Sequence, residues 1–101
     1  MSIHPVRYTS EAYQDYIDLI KRVQRKWGRA SARKLNKQIK ASESYIAQYP
    51  ESYPISDRNP RLRKCVVTPQ TILYYTIYPT EVVITTVFDA RQNPDTLSQR
   101  S

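Results

Sequence analysis

The side chains able to do chemistry in this chain are mostly basic. Arg61, Arg63 and Lys64 cluster at the start of a β-rich run and are the first candidates for meeting an anionic partner. The same charges on an edge strand would also deter strand-to-strand aggregation. Alternation places Arg61 and Arg63 on one face with Cys65, and Lys64 on the other, unless the strand is bulged. Arg91 follows Asp89 by two positions. It can clamp a phosphate or an acidic partner, or pair with Asp89 and cap the turn. Tyr74 and Tyr78 offer rings for stacking on bases or for receiving a partner's side chain; Tyr74 suits a core equally well. Cys65 has no neighbouring His or helix N-terminus to activate it and reads as a small buried hydrophobe. His4, near the chain end, reads as a surface residue.

Charge is unevenly placed. The net charge is +7, and the segment from Lys21 to Lys40 carries nine basic residues and no acidic one. A run of this kind attracts polyanions, either nucleic acid or an acidic protein. Its bland alternative is a solvated helical face.

These groups need elements to position them. Val6 to Thr9 alternates and reads as a short strand. Ser10 is the expected N-cap of a helix, with Glu11 in its first turn. Tyr13, Tyr16, Ile17, Ile20, Val23 and Trp27 recur at helical spacing and form its expected core face. Gly28 is the expected stop. A second helix is expected from Ala30 or Ser31, with Ala32, Leu35, Ile39, Ser42 and Ile46 as its apolar stripe. It ends before Tyr49-Pro50, because a residue preceding Pro avoids the α region. Arg33, Lys34, Lys37 and Lys40 then form a basic outer face of a helical hairpin, with Arg33, Lys34 and Lys37 as binding candidates.

Residues 49–60, punctuated by Pro50, Pro54 and Pro60, read as a loop. Three β runs follow, Leu62 to Val67, Ile72 to Tyr78 and Val82 to Phe88, separated by two turns with Pro in second position. The order β-α-α-β-β-β predicts an α+β fold. An N-terminal strand and an antiparallel αα-hairpin pack on a mainly antiparallel four-stranded sheet. In the central run, Leu73, Tyr75 and Ile77 face one way and Ile72, Tyr74, Thr76 and Tyr78 the other.

Composition narrows the function classes. A chain of 101 residues suits a single domain, here 1–101, with a loose tail from 95 to 101. It buries roughly two-thirds of its unfolded surface, which leaves little room for an interior cofactor. One Gly argues against a phosphate-cradling loop. One Cys excludes a disulfide framework and a Cys-based metal site, and suits a reducing cytoplasm. No metal and no cofactor is expected. No apolar stretch approaches membrane-spanning length, and the first residues lack the pattern of a signal peptide.

From about Val6 to Pro94 the chain resembles the RelE/ParE toxins of bacterial type II toxin–antitoxin systems. The resemblance rests on the order of several loose motifs. Trp27-Gly28 closes the first helix, and Tyr49-Pro50 leads into the Pro-containing loop. Arg61-Leu62-Arg63-Lys64-Cys65-Val66-Val67 precedes the Tyr74-Tyr75 strand, and Phe88-Asp89-Ala90-Arg91-Gln92-Asn93-Pro94 closes the fold. It implies a toxin neutralised by a cognate antitoxin in a hetero-oligomer. RelE-like members cut messenger RNA on the ribosome; ParE-like members poison DNA gyrase. Metal-free cleavage through a 2′-hydroxyl needs an acid, a base and a cation for the phosphate. The resemblance would assign Arg61, Arg63 and Arg91 to it, with a Tyr. Residues 95–101, however, contain no Tyr, His or Lys, and an unperturbed Tyr is a weak acid at neutral pH. The favoured expectation is growth arrest through gyrase. The alternatives are ribosome-dependent mRNA cleavage and a non-toxic nucleic-acid- or protein-binding module on the same fold.

Overall fold

In a computed structural model of the chain, residues 4–91 are described. Strand β1 (Val6–Tyr8) leads into helix α1 (Ser10–Trp27), helix α2 (Arg29–Gln48) and a 3₁₀ turn (Pro50–Ser52). Strands β2 (Arg63–Thr68), β3 (Thr71–Ile77) and β4 (Val82–Asp89) follow. The sheet order is β1-β4-β3-β2. β1 runs parallel to β4, while the β2–β3 and β3–β4 pairs are antiparallel. The predicted α+β architecture and element order are therefore those observed.

The N-cap of α1 is Thr9, not Ser10. The Thr9 hydroxyl accepts from the Ala12 amide at 3.0 Å, satisfying one of the helix's orphan donors. The core face of α1 also differs from expectation. Ala12, Tyr16, Leu19 and Val23 are buried, whereas Tyr13 and Trp27 are 57% and 51% exposed. The spacing 12-16-19-23 satisfies the helical period as well as the stripe read from the sequence. Ala12 permits close approach to the sheet, and amphipathic Tyr13 and Trp27 tolerate the wet flank. Helix α2 follows its predicted stripe, with Ala32, Leu35, Ile39 and Ile46 buried.

Gly28 alone joins the helices. Its amide donates to the Gln24 carbonyl at 2.9 Å, and its carbonyl accepts from the Ala32 amide at 3.2 Å. Its φ of 94° and ψ of 175° lie in a region essentially reserved for glycine. An added Cβ would meet nothing within 4 Å, so a side chain here costs backbone strain alone. Gly28→Ala is expected to lower stability by about 1–3 kcal/mol, measured by urea unfolding; an unchanged midpoint would show that the hairpin turn relaxes freely.

The hairpin covers one face of the sheet. Leu19, Ile39, Ile46, Leu73, Tyr75, Val82 and Ile84 form the centre of that core. The opposite face carries a smaller cluster of Leu62, Tyr74 and Phe88, with Ile72 against it, and leaves Val66 exposed. The alternation expected along β3 holds for Leu73, Tyr75 and Ile77 against Ile72 and Tyr74, although the β3–β4 register shifts between Tyr74 and Tyr75. The β2 strand begins at Arg63 because Leu62 is held in a turn. The Leu62 amide donates to the Asn59 carbonyl, and its carbonyl accepts from Ser56. The buried Tyr75 hydroxyl donates to the Pro50 carbonyl at 2.5 Å, tying the 3₁₀ turn to the sheet.

Candidate functional site

The C-terminal ends of α1 and β4 meet at one edge of the hairpin. On α1, Arg22 and Lys26 are one turn apart and share a face. Trp27 is the last residue before the chain turns at Gly28. At the end of β4, Asp89 is 2% exposed, and the next amide, that of Ala90, donates to the Gln70 carbonyl at 2.7 Å. Arg91 folds back on Asp89. Its Nε and Nη2 donate to Oδ1 and Oδ2 at 2.9 and 3.2 Å, and its amide donates to Oδ1 at 3.0 Å. Arg22 Nη2 donates to Oδ2 at 3.1 Å. One carboxylate thus aligns two guanidiniums.

Around Trp27 the charges gather further. The Arg91 guanidinium carbon lies 4.9 Å from the indole centroid and Lys26 Nζ 5.3 Å, within cation–π range. Arg22, Lys26, Trp27, Asp89 and Arg91 line a cleft of about 340 Å³. A second cleft of about 310 Å³ shares Trp27 and Arg91 and adds Ser31, Thr68 and Gln70. Burial alone would push the Asp89 carboxyl up, but the bonds from Arg91 and Arg22 outweigh it and hold it below its ordinary range.

The other sequence candidates lie elsewhere. Arg63 Nη1 donates to the carbonyls of Tyr53 at 2.8 Å and Glu51 at 3.3 Å, so its charge fastens the 3₁₀ turn to β2. Arg61 is exposed; its amide donates to Asn59 Oδ1 and its carbonyl accepts from Thr76 Oγ1. Lys64 is half-buried opposite Tyr74. Tyr74 is 3% exposed and packs edge-on against Phe88 at 6.4 Å, so its ring belongs to the small core. Tyr78 is exposed, and its amide donates to the Glu81 carbonyl in the β3–β4 turn.

Arg91 does not converge with Arg61 and Arg63. Asp89 pairs with Thr71 on β3, whereas Arg63 pairs with Tyr75. That is four residues along the strand, about 13 Å, with two strand spacings across.

On the hairpin, Arg33 joins Lys21 and Arg29 around an apolar-floored groove of about 530 Å³ that includes Ile17 and Ile20. Lys34 and Lys37 are exposed on α2. Cys65 is buried as expected, and burial pushes its thiol up. The His4 amide donates to the Ala47 carbonyl, at the end of α2 remote from Trp27, about 28 Å along the helix. The closing turn to Pro94 and the 95–101 tail lie outside the described residues. Among those residues no group of His, Cys, Asp and Glu is placed to hold a metal ion, and no helix is long and apolar enough to cross a membrane.

Sequence reasoning missed Arg22, Lys26 and Trp27 as site residues. The i, i+4 basic pair beside an aromatic was visible; its juxtaposition with Asp89 and Arg91 is tertiary.

Residues 6–94 match the model of the ParE toxin of the type II toxin–antitoxin system, parDE. No curated protein sequence matches the chain significantly. Among solved structures, the chromosomal ParDE TA system of P. aeruginosa is similar with a TM-score of 0.76 at 14% identity, over 88% of this chain and 98% of that one. The YoeB dimer of Staphylococcus aureus gives 0.60 at 15% identity, over 86% and 97% of the two chains. The HP0894 protein of Helicobacter pylori gives 0.55 at 11%, over 86% and 94%. Identities this low establish a common fold, while the family match extends over nearly the whole chain: this protein belongs to the ParE toxins of type II toxin–antitoxin systems.

Proposed function

We propose that this toxin arrests growth by acting on DNA gyrase as a stoichiometric poison, and that a cognate antitoxin holds it silent. The observation that carries the reading is the dispersal of the arginines a nuclease would need. Arg63 is tied to two backbone carbonyls, and it lies four residues along the sheet and two strands across from the Asp89–Arg91 pair. Catalysis by positioned groups requires convergence to within a few ångströms of one reacting atom. A poison needs only a complementary surface, and the basic hairpin beside Trp27 supplies one. Inducible expression in growing bacteria tests this. The expected result is a DNA-damage response with intact mRNA at early times; new mRNA 5′ ends at ribosomal positions without DNA breaks would establish the RelE-like activity instead.

For the antitoxin, the groove between α1 and α2 and the exposed Lys34 and Lys37 suit an acidic amphipathic segment. Lys34→Glu with Lys37→Glu is expected to slow antitoxin association roughly tenfold at low salt. Unchanged, salt-independent association rates in stopped flow would contradict that docking.

A further inference from the structure

The cleft at Arg22, Lys26, Trp27 and Arg91 has the chemistry of a nucleic-acid grip. We infer that it binds a single-stranded stretch of nucleic acid, with backbone phosphates on the three cations and an unstacked base against Trp27. Three cations and one carboxylate line the cleft, so it is positive with Asp89 ionised. Asp89 uses only part of each guanidinium: Nε and Nη2 of Arg91, and Nη2 of Arg22. A guanidinium carries five N–H donors, so both retain donors for a phosphate while Asp89 fixes their orientation. Such preorganisation lowers the ordering cost of binding.

Trp27 supplies the stacking surface. Its ring is half exposed despite being the chain's single Trp, a residue that usually contributes its large area to a core. Together with Arg91 it lines both clefts. The second cleft offers Ser31, Thr68 and Gln70 as polar partners. A strand lying along the two clefts can therefore set a base against the exposed part of the indole and its phosphates on the cations beside it. Stacking of this kind adds sequence-tolerant affinity to a basic groove. An acidic peptide would satisfy the cations but leave the exposed part of the indole without a flat partner, so the observations favour nucleic acid.

The inference extends the gyrase reading by naming what the toxin would grip, yet its test needs no gyrase, so either can fail alone. Because Trp27 is the only Trp, intrinsic emission reports on this cleft directly. The purified chain would be titrated with a single-stranded oligothymidylate, and in parallel with poly-glutamate. The expected result is saturable quenching by the oligonucleotide, with affinity falling about tenfold between 50 and 200 mM salt, and no comparable quenching by poly-glutamate. Lys26→Gln, which removes no Asp89 bond, is expected to weaken binding several-fold. Arg7→Gln removes the same charge at the far end of the sheet, where Arg7 pairs with Glu81, and is expected to leave binding unchanged. The Trp27→Phe variant, followed by anisotropy of a labelled oligonucleotide, is expected to bind several-fold more weakly. Absence of quenching, equal quenching by poly-glutamate, or equal losses from Lys26→Gln and Arg7→Gln would overturn the inference.

Discussion

Asp89→Ala is expected to lower the unfolding free energy by about 2–4 kcal/mol at neutral pH. Removing one partner of a buried ion pair costs about 3–5 kcal/mol, because the other charge stays behind uncompensated. Here the partners keep some water: the side chains of Arg22 and Arg91 are 35% and 42% exposed, against 3% for Asp89. The expected loss is therefore below that range, but the carboxylate still organises four donors, two from the Arg91 side chain, one from its amide and one from Arg22. The variant also frees the end of β4 and loosens the cleft. The pH dependence has a definite sign. The folded-state pKa of Asp89 is depressed, so its contribution is complete above the ordinary carboxylate value of about 4 and disappears as pH falls through the lower folded value. Urea unfolding of both proteins at neutral pH and below about pH 4 checks this. The gap is expected to narrow on acidification; a constant gap, or one under about 1 kcal/mol at neutral pH, would show that Asp89 is not the clamp described.

Ile39→Ala is expected to cost about 2–5 kcal/mol, the range for emptying a buried aliphatic site that only partly collapses. Ile39 is fully buried at the centre of α2, in the cluster shared by both helices and the sheet. A chain of 101 residues has a total stability of roughly 5–15 kcal/mol, so a large share would be lost. Ile55→Ala is the contrast. Ile55 is 55% exposed in the loop, and its truncation is expected to stay within about 0.5 kcal/mol. Similar losses at the two positions would mean that the hairpin does not rest on this core.

Much of the fold is legible in the residues because local signals agree. On α2 the spacing of Ala32, Leu35, Ile39 and Ile46 admits one buried face. The Pro turns place β3 and β4 within a residue of their observed bounds. On α1 the reading goes astray because apolar side chains span a wide arc. Tyr13 and Trp27 match the helical period but keep a wet edge, while Ala12 and Leu19 take the core. The candidate site is less legible for a related reason. Arg91 presents two options in sequence; in the fold it pairs with Asp89, where Arg22 of α1 joins it. Arg63 looks available until the 3₁₀ turn brings the carbonyls of Glu51 and Tyr53 against it. Tyr74 is absorbed by Leu62 and Phe88 on a sheet face that a sequence cannot show to be covered.

The most direct test of the gyrase reading is DNA supercoiling by purified gyrase in the presence of increasing amounts of this chain. The expected result is inhibition with accumulation of cleaved DNA, saturating near stoichiometric toxin and relieved by the cognate antitoxin. Undiminished supercoiling at excess toxin, with mRNA cut when ribosomes are supplied instead, would contradict it.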